Sequence, residues 1–216
     1  MAWLLPRIYD RCTAATERAC FQAWRADLLA DVTGDVLEIG AGTGHNLAHY
    51  GPGVTRLVVT DPEPAMLDRL RRKLATVPVG SSSSDVEVVV QRASADALPF
   101  PDHSFDVIVT TLVLCSVPDQ PAALAEVRRV LRPGGRLVFL EHVAADGRPR
   151  RLAWQHRVEP VWKRVVGGCH LTRRTAEAIA ASGFELDETD VTRESARKAA
   201  PVVRPTVRGV ARKRAA

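Results

Sequence analysis

The chain has 216 residues, 46% of them hydrophobic and 25% charged, with 30 Lys and Arg against 25 Asp and Glu. This suits one globular domain with a sizeable core. No run reaches the roughly 18 apolar residues that cross a bilayer, and the apolar start Met1 to Leu5 is too short for a signal peptide's core. Cys12, Cys20, Cys115 and Cys169 show neither CxxC nor zinc spacing, so reduced thiols, no metal and a cytoplasmic location are expected.

Residues 3–30 read as a helix, with Ile8, Cys12, Ala15 and Ala19 on one face and Trp24 and Leu28 adding a second apolar stretch. Val36, Leu37 and Ile39 then suit a strand covered on both faces. It runs into a turn with glycine at every second position, Gly40, Gly42 and Gly44. Glycine lets the backbone turn sharply and lets a ligand approach. A helix expected from Gly44 to His49 would aim its N-terminal amides at that ligand. A dinucleotide loop needs a third glycine at position 45, which is His45, and no Gly-Lys-Ser/Thr run of a Walker loop exists.

A second strand, Arg56 to Asp61, ends in an acid, and Pro62 to Ala75 reads as a helix with Met66, Leu70 and Leu74 on one face. Gly80 to Ser84 reads as a surface loop. Strands are expected near 86–91, 105–111 and 136–142, the last after a helix stopped by Pro133, Gly134 and Gly135. Residues 150–182 read as helical, with a break at Gly167-Gly168. Phe184 to Asp190 and Val202 to Ala211 form the last strands, where Pro205 needs an edge or a bulge. The alternation argues a doubly wound α/β fold with a mostly parallel sheet, in one domain without repeats.

The pattern E-x-G-x-G-x-G from Glu38 to Gly44 resembles the first motif of class I S-adenosylmethionine-dependent methyltransferases. LPFPDHSFDVI at 98–108 and VLRPGG at 130–135 look like the branch that includes the quinone-biosynthesis C-methyltransferases. A narrower similarity is to the microsomal alkyl thiol methyltransferases. It rests on TLVLCSV at 111–117, FLEHVAA at 139–145, Trp154-Gln155, Pro160-x-Trp162, GC-x-LTR at 168–173, and Val203-Arg204-Pro205 with Gly209 and Ala211. Members of that subgroup methylate small lipophilic thiols and carry an N-terminal membrane anchor, for which this sequence shows no segment.

The resemblance implies a seven-stranded sheet with a C-terminal antiparallel hairpin at its edge. It divides the chain into an N-terminal helical lid (1–32), a cofactor-binding core (33–142), acceptor-side helices and strands (143–211) and a basic tail (212–216). It implies S-adenosylmethionine as cofactor, with Gly40, Gly42 and Gly44 cradling its methionine part and ribose. Asp61 would accept from the ribose hydroxyls, or else cap the helix beginning at Pro62. Glu38 would hold the cofactor's amino group or shape the loop. Met66 would press on adenine or pack in the core. The family's acid for the adenine amino group aligns with Ser94; Asp96 lies two residues on, and the Ala95 amide would assist. Thr111 and Leu112 end the fourth strand, where open α/β sheets place ligands.

Methyl transfer from a sulfonium is an in-line displacement that proximity and a dry site can promote. A thiol acceptor must also lose its proton, and His142 is the preferred base, ahead of His156 and His170, against a purely structural role. Cys115 is expected to line the pocket as a small hydrophobe. The charge is uneven: residues 147–174 and 193–216 each carry a net +7. That could guide an RNA or protein substrate or touch anionic lipid, although a solvated face is the simpler reading. The expected partner is a small methyl acceptor, a thiol first and then a quinone carbon or a phenol, with no nucleic acid, weak membrane contact at most, and a monomer or homodimer. A non-enzymatic alternative is an S-adenosylmethionine-binding module.

Overall fold

A computed structural model describes residues 5–80 and 86–214, with side chains except those of 5–9 and 187–190. One sheet holds seven strands: β1 Gly34–Ile39, β2 Val54–Asp61, β3 Glu87–Arg92, β4 Phe105–Thr111, β5 Leu131–His142, β6 Phe184–Ser195 and β7 Pro205–Lys213. Their spatial order is β3-β2-β1-β4-β5-β7-β6. The first five strands are parallel, and β7 runs antiparallel to both β5 and β6. Beyond β1 the chain winds outward through β2 and β3, then crosses back to β4 and β5. The switch point of the topology therefore lies at the carboxyl ends of β1 and β4, where such sheets bind ligands.

The central strands are apolar on both faces because both faces are covered. Leu37, Ile39, Ile108, Leu137 and Phe139 pack into one core layer, and Val36, Val107, Val109 and Val138 into the other. The layers contain helices α3 Pro64–Leu74 and α4 Gln120–Val130; α5 Pro149–Val165 and α6 Thr175–Ala181 follow β5. Among the described residues no helix is long and apolar enough to cross a membrane.

Several details depart from the sequence reading. β5 already begins at Leu131, so Pro133, Gly134 and Gly135 lie within it instead of ending the helix, and β6 runs on to Ser195 past the expected Asp190. The helix expected at Gly44 to His49 is a single 3-10 turn, Leu47–His49. The chain must return under the preceding helix, where Gly51 N donates to the Leu29 carbonyl, and Gly51 to Gly53 lead directly into β2. At the N-terminus, α1 Leu5–Thr16 and α2 Gln22–Leu29 are joined by a π-helical stretch, Glu17–Phe21. The wider turn changes which residues face inward. Cys12 and Ala15 are exposed, whereas Thr16, Glu17, Cys20, Phe21, Trp24 and Arg25 are buried; the side chain of Ile8 lies outside the described ones. The last strand starts at Pro205 rather than Val202, after a 3-10 turn at Pro201–Val203. Pro205 is tolerated in this interior strand because it is the first residue, and its carbonyl accepts from Val143 N. Arg212 and Lys213 belong to that strand and are not a free tail. Of the expected Gly80–Ser84 loop, residues 81–84 lie outside the described residues.

Candidate active site

Two cavities of about 470 Å³ each open at the carboxyl ends of the parallel strands. The first is walled by Gly40 and Gly42 after β1, Asp61 and Pro62 after β2, Met66 on α3, and Ser94, Ala95, Thr111 and Leu112. All three loop glycines have positive φ, +65°, +56° and +77°. A Cβ on Gly40 would come within 2.5 Å of Val113, and one on Gly44 within 2.6 Å of Leu70. A Cβ on Gly42 would meet no protein atom nearer than 4.0 Å, so the space there belongs to the cavity. Gly44 serves packing and does not reach the wall.

Asp61 is buried, and burial raises its pKa. Its Oδ2 accepts from Gly42 N at 3.0 Å and its Oδ1 from Glu63 N at 2.9 Å. One carboxylate thus ties the glycine loop to the turn after β2 while keeping unused lone pairs. The cap of α3 is Glu63, not Asp61. Glu38 stands behind the loop, off the cavity wall. Its oxygens accept from Asn46 Nδ2 at 3.0 Å and from the Tyr50 hydroxyl at 2.6 Å, and burial lifts its pKa to about 7. That geometry fits the loop-shaping reading. Asp96 is exposed and accepts from Ser94 Oγ, so Ser94 and Ala95, not Asp96, face the cavity.

The second cavity is mostly apolar, with Phe21, Leu112, Trp162 and Val203 among its walls, and it includes His142, Cys115 and Cys169. The N-terminal helices border this cavity, through Cys12, Thr13, Thr16 and Phe21, rather than the first. The two cavities share Leu112, Ser116 and Gly167. Leu112 has φ +62°, a left-handed conformation that costs a bulky residue about 1–3 kcal/mol. Neighbouring bonds hold it there. Leu112 N donates to Leu140 O at 2.7 Å, and the buried Glu141 carboxylate accepts from the amides of Val113, Leu114 and Cys115 at 3.0–3.1 Å.

Sequence reading missed a buried polar cluster behind the site. Arg25 pairs with Glu17 at 3.1 Å and donates to Asn46 Oδ1 at 2.6 Å and to Thr111 Oγ1 at 2.9 Å. Asn46 in turn donates to Glu38 and to Thr111. Asp10 on α1 accepts from Thr43 Oγ1 at 2.6 Å and from Arg69 at 3.2 Å. The N-terminal helices are therefore fastened to the glycine loop at two points.

His142 is the histidine that reaches the second cavity. His156 is exposed on a separate groove, and His170 pairs with Glu159 at 3.4 Å. The His142 ring lies 6.3 Å from Phe21, its Nδ1 is buried without a hydrogen bond, and burial lowers its pKa to about 4. The imidazole is neutral at neutral pH. An unfolded histidine titrates near 6.5, so between about 4 and 6.5 the unfolded chain holds the extra proton and His142 makes folding less favourable as pH falls. His142→Phe should therefore gain stability relative to wild type by up to about 3 kcal/mol as pH drops through that window, and stay at a constant offset above it. Urea midpoints measured from pH 4 to 8 check this; an offset that does not change with pH would mean His142 is not buried neutral.

The thiol S-methyltransferase TMT1A of Homo sapiens is 36% identical over 177 residues, covering 82% of this chain and 70% of that protein. The chain belongs to the S-adenosylmethionine-dependent methyltransferase family. Residues 37–139 of this methyltransferase match the family described as a methyltransferase domain. The thiol S-methyltransferase TMT1B of Rattus norvegicus is 39% identical over 149 residues, and the chain spans 59% of that relative's length. A solved S-adenosylmethionine-dependent methyltransferase of Thermotoga maritima shares the fold, with TM-score 0.69 at 18% identity over 99% of this chain and 100% of that one. S-adenosylmethionine is thus the methyltransferase's cofactor, and a glycine loop with open space at Gly42 beside a buried acid fits it.

Proposed function

We propose that this chain methylates the sulfur of a small lipophilic thiol, using S-adenosylmethionine. The observation that carries the reading is the junction at Leu112, Ser116 and Gly167 between a glycine-loop cavity and an apolar cavity walled by a neutral histidine. When bound, the cofactor supplies an electrophilic methyl group on a sulfonium. Gly40 and Gly42 would cradle it, Asp61 would accept from its ribose hydroxyls, and Met66 and the Ala95 amide would meet its adenine. The apolar second cavity excludes water and aligns the acceptor. His142, whose imidazole is neutral at pH 7, is the wall residue that would take the thiol proton. A pKa of about 4 makes it a weak base until the negative charge forming on the sulfur beside it raises that value.

The nearby relatives named as thiol S-methyltransferases support this acceptor class. Several of the C-terminal cations are engaged within the fold. Arg208 pairs with Asp27 and Glu194, Arg214 with Glu185, and Lys213 donates to the carbonyls of Arg128 and Leu131.

A free thiol has a pKa near 8.5, so only a few per cent is ionised at pH 7. His142→Gln should lower kcat for an alkyl thiol by roughly 10- to 100-fold at pH 7, and the deficit should shrink above about pH 8.5, where solvent has already ionised the acceptor. A constant deficit from pH 6.5 to 9.5 would reduce His142 to a packing role. Absence of turnover with alkyl and aryl thiols, alongside turnover of a phenol or quinol, would overturn the acceptor class.

A further inference from the structure

Cys115 and Cys169 both line the apolar cavity, and their sulfurs lie 3.9 Å apart. Cys115 follows the strained Leu112 turn, and Cys169 follows Gly167 and Gly168 in the connection after α5. The two segments already touch, since His170 N donates to Cys115 O at 2.7 Å. Both thiols are buried, at 1% and 5% exposure. A lone buried thiol is inert because burial disfavours the thiolate. This pair differs, because the contact between the sulfurs lowers the pKa of Cys169 and raises that of Cys115. Cys169 is also the more exposed of the two, so a disulfide in the cavity meets it first, with a second thiol beside it.

We propose that Cys169 and Cys115 are a reactive dithiol that reduces small apolar disulfides entering this cavity, and that the resulting internal disulfide shuts the junction between the two cavities. The chemistry rests on the cavity alone; its effect on methyl transfer rests on the function proposed above. The Cys169 thiolate attacks one sulfur of R–S–S–R, forming Cys169–S–S–R and releasing RS⁻. Cys115 then gives up its proton and attacks the Cys169 sulfur, forming the Cys115–Cys169 bond and releasing the second RS⁻. Two protein thiols are oxidised by two electrons, one disulfide becomes two thiols, and the two protein protons leave on the two RSH. Each product is a small thiol released where a thiol acceptor would bind. Closing the S–S gap pulls the Gly167-Gly168 connection onto the Leu112–Ser116 turn, the segments that the two cavities share.

The test uses the full chain carrying Cys12→Ser, which removes the exposed thiol, and dithiodipyridine as the apolar disulfide. The expected result is release of two thiopyridone equivalents per chain, a mass lower by two hydrogens, and a peptide linking residues 115 and 169. Adding Cys115→Ser should stop the reaction at one equivalent, with a stable thiopyridyl adduct on Cys169. The oxidised protein should lose methyl transfer by roughly 100-fold, as a small misplacement at the reacting centre does, and regain it with dithiothreitol. No linked peptide from the folded protein, or separate adducts on both cysteines, overturns the dithiol; a linked protein with unchanged methyl transfer overturns the closure. A chain that forms the link yet never methylates a thiol keeps the dithiol and refutes the acceptor assignment instead.

Discussion

Asp61→Ala is expected to weaken S-adenosylmethionine binding by roughly 100-fold or more, close to 2.7 kcal/mol, while the protein stays folded. Two effects add. The variant loses the carboxylate that would accept from the ribose hydroxyls, and hydrogen bonds to a charged group contribute about 1.5–3 kcal/mol each. It also frees Gly42 N and Glu63 N, the two amides that Asp61 holds on either side of the cavity, so the glycine loop has to be ordered by the ligand itself. Asp61→Asn keeps one acceptor oxygen and should fall between the two. Calorimetric titration with the cofactor measures this, with a urea midpoint to show the variant is folded. Wild-type affinity in the alanine variant would confine Asp61 to shaping the loop. Absence of binding by folded wild type would overturn the cofactor's place in this cavity.

The central strands β1, β2 and β4 could be read from sequence because burial on both faces leaves unbroken apolar runs; the last two, polar along much of their length, were placed by the family resemblance. The same sheet order explains why most of the expected ligand-side residues do converge. Gly40, Gly42, Asp61, Pro62, Met66, Ala95, Thr111 and Leu112 each sit at or just beyond a strand's carboxyl end or on the helix that follows, and they share one cavity. Glu38 and Gly44 belong to the same motif but serve the loop from behind, a distinction that depends on Asn46 and Tyr50 folding back onto β1.

What could not be read is the set of polar residues whose partners are far away in the chain. Arg25 bonds to Thr111 across 86 positions, and Cys169 meets Cys115 across 54. Nothing local in the sequence marked Glu17 and Arg25 as partners, and the π-helical stretch between α1 and α2 has no signature that would have turned them inward. Glu141 stood in plain view beside His142, yet nothing local showed that its carboxylate gathers three amides of the neighbouring turn.

The buried Arg25–Glu17 pair sets the second large expectation. Both side chains are 3–4% exposed, so removing one partner strands a charge that water cannot reach. Arg25→Met should cost about 3–5 kcal/mol, a fall of about 10 °C in Tm for a chain of this size. The substitution leaves Glu17 uncompensated and deprives Asn46 and Thr111 of their shared donor, so cofactor affinity should fall with stability. In Glu17→Gln/Arg25→Met no buried charge is left over from the pair, and most of the stability should return. Affinity should not return with it, because the donor to Asn46 and Thr111 is still missing. Urea unfolding of the two single variants and the double variant gives the coupling energy, and calorimetry gives the affinity. A single Arg25→Met variant as stable as wild type would show that the pair is hydrated in solution. A double variant that regains affinity as well as stability would show that the arginine holds the helices in place but not the glycine loop.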